Sequence, residues 1–370
     1  MLTRAHGGKV RHVWESAVHG FSIEATAAEA LAITNNPWVQ SVEEDEQLSL
    51  PQVATCAQTT SRCADGKLPW NLDRIDQWSL PLNGQYWHVT PQSRGAVIFN
   101  IDSGIVASHS EFNDANGRTR VMQGKDFVND GQGTNDCYSH GTYTASMAVG
   151  RTAGVAREAR IVPVRVADCA GNLTVERIVD GVNWVKDNFY AFGLYSIANI
   201  EAADGSDSPI MRTAIANLGA AGVIVTVPAG NKGGNACSYS PSNTKGQNVV
   251  IVAASTSTDN AASFTNQGSC VTVFAPGAGV GGDAYSYDGL NCSPGWNGTS
   301  VAAPIVAGVF AMYWMNHSTL SARLAINQVL GGSTVGELKQ LKSDTQNLLI
   351  ANPYDPWMSC DTTAPPPDVR

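Results

Sequence analysis

The run AVIFNIDSG (residues 96–104) decides the fold, because it reads as a buried strand that delivers a carboxylate to a glycine turn. Two further segments belong with it, SHGT (139–142) and NGTSVAAP (297–304), and each begins a small-residue, helix-like stretch. A serine hydroxyl becomes a good nucleophile only when a base takes its proton, and an imidazole base needs a carboxylate to fix its tautomer. The three segments together predict an Asp/His/Ser catalytic set.

Beyond residue 95, apolar runs alternate with helical patterns. We predict strands at 96–102, 160–167, 195–202, 222–228, 249–254 and 271–275, and helices at about 174–189, 209–221 and from Ser300 onward. Such alternation implies right-handed crossovers and a parallel sheet with helices on both faces. The expected fold class is therefore α/β, with a mostly parallel central sheet.

Composition limits the functional classes. The chain has 370 residues, a net charge of -9, 43% hydrophobic and 15% charged residues, as is typical of a globular protein. It carries no basic stripe to neutralise phosphates, so nucleic acid is not an expected partner. It has no run of about 18 apolar residues, so no membrane span is expected either.

The eight cysteines indicate an oxidising compartment. None forms a C-x-x-C pair, so a zinc ribbon is disfavoured and disulfides are favoured. The alternative is a cytosolic enzyme with eight reduced, buried thiols. The start, MLTRAHG (1–7), lacks the apolar core of a signal peptide. Because disulfides imply export, we expect this sequence to lack its export signal.

Residues 1–50 read as a separate small α+β unit. We predict a strand over 13–23 and another over 38–45. Between them, TAAE (26–29) is a capping box that opens an alanine-rich helix, which ends at Asn36-Pro37. Residues 51–67 lack periodicity and read as an exposed linker in which processing would occur. Residues 350–370, with a run of three prolines, read as a terminal tail.

The order and setting of the Asp, His and Ser motifs resemble those of subtilisin-type serine proteases (peptidase family S8). Within them, the chain is most similar to the proteinase K branch with its secreted aqualysin-type enzymes. The resemblance covers residue 70 to about 349, and the first 50 residues resemble an inhibitor I9-type propeptide without its first strand. It implies a subtilisin-like three-layer fold and four segments: propeptide 1–50, linker 51–67, catalytic domain 68–349 and tail 350–370.

The resemblance also assigns roles. Ser300 would be the nucleophile, His140 the base and then the acid, and Asp102 the residue that orients His140. Asn231, in PAGN (228–231), would complete the oxyanion hole. Taken singly, each residue has an ordinary alternative: a helix N-cap, a buried histidine, a strand-end aspartate and a turn asparagine. Tyr143 stands where the family usually has a second histidine.

The substrate would bind as an added strand between two backbone segments. In place of the family's Ser-Leu-Gly-Gly, the second segment here is EAAD (201–204), and alanine in place of glycine narrows the cleft. Near the first specificity pocket, Glu201 would either attract a basic P1 side chain or obstruct the pocket. The residues expected to line the substrate site are Gly171, Asn172, Leu173, Glu201, Ala202, Ala203, Ala229 and Gly230.

The resemblance implies two disulfides, Cys137–Cys169 and Cys237–Cys270. Cys56–Cys63 and Cys292–Cys360 would remain only by elimination. It also implies a structural calcium ion, and close-set carboxylates and amides supply the hard oxygen ligands that calcium prefers. The alternative to a calcium site here is an ordinary solvated helix start. The catalytic chemistry is expected to require no cofactor. The expected calcium ligands are Asp73, Asp76, Gln77 and Asn83.

These observations predict a secreted, monomeric serine endopeptidase made as a zymogen. Its partners would be peptide substrates and its own propeptide, which would act as an intramolecular inhibitor. Neither nucleic acid nor a membrane is an expected partner. The rival hypothesis is a pseudoprotease that holds peptides in an altered cleft without cutting them. The intact Asp/His/Ser/Asn set favours the enzyme, and the EAAD segment favours the rival.

Overall fold

A computed structural model describes residues 8–49, 69–84, 86, 95–193, 195–280, 296–317 and 319–352. The predicted linker (51–67), nearly all of the predicted tail, and the four cysteines at 56, 63, 292 and 360 lie outside the described residues. The helices and strands, in chain order, are β1 (Lys9–Glu15), β2 (His19–Glu24), α1 (Ala27–Thr34), β3 (Gln47–Ser49), α2 (Trp70–Ile75), β4 (Ala96–Asp102), β5 (Lys125–Asp126), α3 (His140–Val149), β6 (Arg160–Arg165), β7 (Asn172–Thr174), α4 (Val175–Phe192), β8 (Tyr195–Ile200), α5 (Pro209–Ala220), β9 (Ile224–Pro228), β10 (Val249–Ser255), β11 (Val273–Pro276), β12 (Ala278–Val280), β13 (Trp296–Asn297), α6 (Thr299–Asn316), α7 (Ala322–Gly331), β14 (Thr334–Val335) and β15 (Leu348–Leu349).

A nine-stranded sheet forms the centre of the described structure, in the order β14-β15-β11-β10-β9-β8-β4-β6-β5. Its pairings are parallel except β14 with β15. The α/β class expected from the alternating pattern is therefore correct. Parallel strands end at the same edge, so the residues that follow β4, β8 and β9 lie close together.

Strand β4 shows why the fold has three layers, with the sheet between two layers of helices. All seven of its residues are buried, as expected for a strand covered on both faces. Ile98 packs with α3 and α6 on one face, whereas Phe99 and Ile101 pack with α4 and α5 on the other. Burial of alternate side chains in two separate cores fixes the strand between two helical layers.

Helix α6 is buried on every side. Among the described helices, it alone has the length and mean hydropathy to cross a bilayer, but 94% of it lies inside the protein. It packs beneath the central strands and against α3. Uniformly apolar helices of this kind belong to the core of a large domain. The helix therefore holds the residues at its N-terminus in a fixed position.

The N-terminal unit differs from the predicted one in two places. The single strand predicted over 13–23 is wrong: β1 and β2 form an antiparallel hairpin. At its turn, Ala17 is buried, with its N–H donating to Asn183 Oδ1 of α4 at 2.7 Å and its C=O accepting from Asn217 Nδ2 of α5 at 2.6 Å. Because these backbone groups bond to the larger domain, the strand cannot continue through them. The predicted capping box of α1 is present, with Thr26 and Glu29 bonded reciprocally.

The strand predicted over 38–45 is also wrong, since this segment has no strand pairing. The strand of this region is β3, which starts at Gln47 and pairs with β7 of the larger domain. In the preceding segment, Glu43, Asp45 and Glu46 all accept hydrogen bonds from the larger domain. The sequence of this segment suggested a strand, but its side chains bond to the larger domain instead.

Candidate active site

Asp102 lies at the carboxyl end of the central strand and is completely buried. Its Oδ1 accepts from the backbone N–H of Ser103 at 2.6 Å, and its Oδ2 accepts from the Thr144 hydroxyl at 2.8 Å. Asn100 Nδ2 donates to the same hydroxyl, which lies 2.8 Å from Asp102 Oδ2 and 3.1 Å from the carbonyl oxygen of Gly141. Hydrogen-bond donors therefore reach both oxygens of this carboxylate. Sequence analysis did not identify Thr144.

His140 is the first residue of α3, and its Nδ1 lies 2.9 Å from both oxygens of Asp102. The tautomer with its proton on Nδ1 donates to this carboxyl group and leaves Nε2 as the acceptor. His140 is 1% exposed, and its Nε2 has no hydrogen-bond partner within the described part of the chain. The arrangement suits a base whose tautomer is fixed by Asp102.

Asp136 fixes the start of α3 and was not identified from the sequence. Its buried carboxylate accepts from the backbone N–H groups of Tyr138, Ser139 and Thr142 and from the hydroxyls of Thr142 and Ser103. Ser139 has a left-handed backbone (φ 82°), which turns the chain into the helix. An aspartate four residues before a helical histidine is the signal that could have identified this anchor.

Ser300 is the second residue of α6 and is 5% exposed. A Cβ at Gly298 would lie 2.8 Å from Ser300 Oγ, so glycine at this position keeps the hydroxyl uncovered. The N-terminal N–H groups of α6 favour negative charge that develops near this serine. Among the described residues, no hydrogen bond joins Ser300 to His140 Nε2.

Asn231 follows the end of β9 and contacts the N-terminus of α6. Its Oδ1 accepts from both the backbone N–H of Thr299 at 2.8 Å and the Thr299 hydroxyl at 3.0 Å. With the oxygen held, Nδ2 is the amide group left to donate elsewhere. Its neighbours Ala229 and Gly230 are buried, and Gly230 has φ 101°, with its N–H donating to the Thr299 hydroxyl.

The side chain of Glu201 does not lie where the sequence analysis expected it, near the first specificity pocket. Its side chain is 1% exposed, and its carboxyl oxygens lie among the side chains of Asp102 and His140, with one ligand atom of each within 4.8 Å of the others. Asn199 Nδ2 donates to Oε1 at 2.7 Å. Burial, followed by the negative charge of Asp102, raises the pKa of Glu201 well above 4.5. The side chain therefore belongs to the Asp102–His140 pair and does not reach an open surface.

The other residues of the EAAD segment are Ala202, Ala203 and Asp204, and Asp204 bonds to the neighbouring loop. Ala202 is buried and Ala203 is half-buried. Asp204 adopts φ 60°, the left-handed region that usually favours glycine. Its carboxylate accepts from the backbone N–H of Asn231 at 2.7 Å and from Asn266 Nδ2 at 2.9 Å. Asp204 thus joins this segment to the loop of the candidate oxyanion residue.

The other predicted substrate edge is occupied by the chain itself. Strand β7 pairs antiparallel with β3, in the register Gln47↔Thr174, Leu48↔Leu173 and Ser49↔Asn172. The preceding Gly171 has φ 80°, and a Cβ there would lie 2.5 Å from the Tyr138 ring. Glycine is therefore required at the start of this edge.

Carboxylates of the N-terminal unit hold β3 in place. Asp45 accepts from the N–H of Glu176 in the first turn of α4 at 2.8 Å, and Glu43 accepts from the N–H of Ile210 in the first turn of α5 at 3.1 Å. Acidic side chains stabilise helix N-termini, where N–H groups have no partner within the helix. Desolvation raises the pKa of both carboxyls and so opposes part of this gain.

The described residues contain two disulfides, and they are the two that the resemblance implied. Cys137–Cys169 has a Cα–Cα distance of 4.9 Å, and Cys237–Cys270 has one of 5.3 Å. The first joins the segment before His140 to the segment before β7. It lies beside Arg165, which is fully buried and bonds to Asp130 and to the carbonyl of Ser103.

The loop predicted to hold calcium gathers oxygen atoms. The Asp73 carboxylate accepts from the N–H groups of Asn83 and Gly84, and Gln77 Oε1 accepts from Asn83 N. Asp73 and Asp76 are each 4% exposed. Carboxylates keep further lone pairs after accepting one or two N–H groups, so this donor set fits a hard cation.

Comparisons with known proteins agree with this geometry. A model of the subtilase family (peptidase S8) matches residues 93–345, and a model of peptidase inhibitor I9 matches residues 2–51. The chain is 32% identical over 348 residues to the extracellular serine proteinase of Thermus sp. (strain Rt41A), covering 94% of this chain and 79% of that protein. It is 33% identical over 362 residues to the alkaline serine exoprotease A of Vibrio alginolyticus, covering 97% of this chain and 64% of that protein.

A solved structure is similar as well. The crystal structure of a cold adapted subtilisin-like serine proteinase superposes with a TM-score of 0.69 at 35% identity, covering 77% of this chain and 98% of that one.

Proposed function

The chain belongs to the subtilase family of serine proteinases, and from this premise we propose that it hydrolyses peptide bonds through an acyl-enzyme on Ser300. His140 Nε2 takes the hydroxyl proton as Ser300 Oγ attacks the scissile carbonyl, and then delivers that proton to the leaving amine. Asp102 holds the imidazole and stabilises its cation. Asn231 Nδ2 and the Ser300 N–H bind the oxyanion. Attack by water, with the same proton transfers, releases the acid.

The observation that carries this proposal is the buried contact between His140 Nδ1 and both oxygens of Asp102, at 2.9 Å. It leaves Nε2 as a base without a competing donor. The missing hydrogen bond to Ser300 is compatible with this role, because such contacts are often long in the absence of substrate and tighten in the Michaelis complex.

We propose further that the protein is made as a zymogen, with residues 1–50 as the inhibitory propeptide, 51–67 as the processing region and 68–349 as the catalytic domain. Support comes from β3, which occupies the backbone edge of β7 that a substrate strand would use. The inhibitor I9 match covers the same N-terminal unit. Cleavage after β3 frees this edge once the propeptide dissociates.

Secretion and calcium binding complete the proposal. The Thermus relative is named extracellular, and two disulfides favour an oxidising compartment. Asp73, Asp76, Gln77 and Asn83 would hold calcium, which would cross-link the loop after α2 to the domain without entering the chemistry. We keep the expectation of a monomer.

A peptide-binding pseudoprotease is the second candidate, and the altered EAAD segment favours it. A fluorophosphonate probe separates the two, since only an activated serine reacts. Mature protein should incorporate one probe per chain, at Ser300, and the Ser300→Ala variant should incorporate none. If propeptide-free protein that still binds peptides does not react, the pseudoprotease is correct.

Self-processing tests the zymogen. The purified full chain should be cleaved within about residues 46–67, whereas Ser300→Ala should stay intact. Efficient cleavage of the Ser300→Ala chain with no other protease present would refute autocatalysis. Folding should be confirmed for both chains by circular dichroism, so that exposure of an unfolded linker is not mistaken for processing.

A further inference from the structure

Asp204 has a backbone conformation in which a side chain is costly. Its φ of 60° lies in the left-handed region, where glycine avoids the steric conflict that a Cβ causes. It also stands at the position of the last glycine in the family's Ser-Leu-Gly-Gly motif. Residues held in this region against their preference cluster at functional sites. The Asp204 side chain is therefore expected to have a role that glycine could not fill.

Both oxygens of the Asp204 carboxyl bond to the neighbouring loop or to the side chain that supports it. Oδ2 accepts from the backbone N–H of Asn231 at 2.7 Å, and Oδ1 accepts from Asn266 Nδ2 at 2.9 Å. The loop approaches so closely that a Cβ at Gly230 would lie 2.3 Å from Oδ1. Lys232 Nζ donates to the backbone carbonyl of Asp204 at 2.8 Å. The loop of Asn231 is thus joined to Asp204 by three contacts.

Asn266 supports the same loop from the other side. It is fully buried, and its side chain and backbone bond to backbone groups of four loop residues, namely Ala229, Gly230, Lys232 and Gly234. None of these four bonds reaches Asn231 itself. Of the two supporting side chains, only Asp204 bonds to the backbone N–H of Asn231.

The amide of Asn231 is held at a different point. Its Oδ1 accepts from the N–H and the hydroxyl of Thr299 at the start of α6. Asp204 fixes the backbone of Asn231 and Thr299 fixes the amide oxygen, so together they determine where Nδ2 points. A donor stabilises an oxyanion best when it is already in place before the charge develops.

We propose that Asp204 is a positioning residue, which holds the backbone of Asn231 so that Nδ2 points at the oxyanion formed during attack by Ser300. This role rests on the proposed function, since Asp204 acts only through Asn231. The rival role is a direct contact between the Asp204 carboxyl and a substrate side chain. Such a contact would change KM, and it would do so whether or not the Asn231 amide is present.

The test is a double-mutant cycle between Asp204 and Asn231, measured as kcat and KM of the mature protein on a chromogenic peptide. Asp204→Gly removes the carboxyl and suits the left-handed backbone, so kcat should fall by about 10–100-fold while KM stays within about threefold of wild type. In the Asn231→Ala background, the same substitution should lower kcat by less than about threefold, because the group that Asp204 positions is gone. An undiminished loss in that background would overturn the proposal. So would an Asp204→Gly kcat within about threefold of wild type.

Two further variants separate loss of the carboxyl from an effect on folding. Asp204→Ala loses the same carboxyl without gaining glycine's freedom at this φ, so it should melt at a lower temperature than Asp204→Gly yet show a similar loss of kcat. A wild-type kcat for Asp204→Ala would overturn the proposal, so either variant decides if the other fails to fold. Asp204→Asn keeps an acceptor for the N–H of Asn231 and tolerates the left-handed region, so its kcat should return to within about threefold of wild type.

Asn248→Gly is the matched control. Asn248 is also left-handed (φ 61°), and its Nδ2 donates to the carbonyl of Gly219 at 2.8 Å. It precedes the amino end of β10, whereas the candidate site follows the carboxyl ends of the strands. Its kcat should equal that of the wild type; a loss as large as that of Asp204→Gly would assign the effect to backbone freedom and overturn the proposal.

Failure of the proposed function gives a different result. If Ser300 does not react with the fluorophosphonate probe, no activated serine is present and both proposals fall. If Ser300 reacts but Asn231→Ala keeps the wild-type kcat, Asn231 is not an oxyanion donor and Asp204 has no group to position. If Ser300 reacts and Asn231→Ala is impaired, the cycle alone decides the role of Asp204.

Discussion

The side-chain amide of Asn231 makes one contact that the structure shows and has one role that we propose, and substitutions can separate the two. Nδ2 is the proposed oxyanion donor, whereas Oδ1 accepts from the buried N–H and hydroxyl of Thr299. Asn231→Ala removes both functions. Loss of one oxyanion donor costs about 2.7–4 kcal/mol of transition-state stabilisation, which corresponds to about 10²–10³ in kcat. Loss of the acceptor leaves a buried N–H unpaired, at about 1–3 kcal/mol of stability.

Asn231→Asp is the matched variant, because it keeps an acceptor for Thr299 but has no donor for the oxyanion. Its kcat should fall at least as far as that of Asn231→Ala, while its free energy of unfolding stays closer to the wild-type value. The assay is kcat on a chromogenic peptide with active sites counted by a fluorophosphonate, together with urea unfolding in a Ser300→Ala background. A kcat within fivefold of wild type for both variants would refute the oxyanion role. Equal destabilisation by both would refute the Thr299 anchor.

Three further outcomes are expected. Burial, followed by the charge of Asp102, raises the pKa of Glu201 in the folded state well above 4.5, so the folded protein keeps a proton that the unfolded chain loses, and stability falls as pH rises above about 4.5. Glu201→Gln should therefore gain stability relative to wild type as pH rises above about 4.5, and a pH-independent difference between their free energies of unfolding would contradict this. Removing the disulfide with Cys137→Ser and Cys169→Ser, whose sequence separation is 32, should cost about 2–4 kcal/mol in urea unfolding, and an unchanged midpoint would exclude that contribution. A calcium chelator should lower the melting temperature of the wild type but not that of Asp73→Asn; equal shifts would place the ion elsewhere.

Much of the fold could be predicted because it depends on local pattern. The apolar run of β4, with a carboxylate at its end, is legible in the sequence, and so is the capping box at Thr26. The hairpin at Ala17 was not predictable, because the bonds that reverse the chain come from Asn183 and Asn217, more than 160 residues away. Local alternation contains no information about such partners.

The candidate site divides in the same way. Motifs in the sequence predict that Asp102, His140 and Ser300 form a catalytic set, and these roles are proposals. Glu201 was expected at a pocket because its segment aligns with a substrate edge, but the register of β4 against β8 decides which way its side chain points. Register depends on the whole sheet, so a single sequence could not reveal the carboxyl beside Asp102.

Helix α6 also has a consequence for the order of biosynthesis. The strands beneath which it packs, β4, β8, β9, β10 and β11, all precede it in the chain, so its N-terminus can be fixed only after those strands are assembled. Ser300 leaves the ribosome roughly 160 residues after His140, which takes about 8–30 s at about 5–20 residues per second. Through that interval the nascent chain holds a base and its carboxylate without a nucleophile. With the proposed roles, a nascent chain has no serine nucleophile during that interval and so cannot cut its neighbours then, whatever the state of its propeptide.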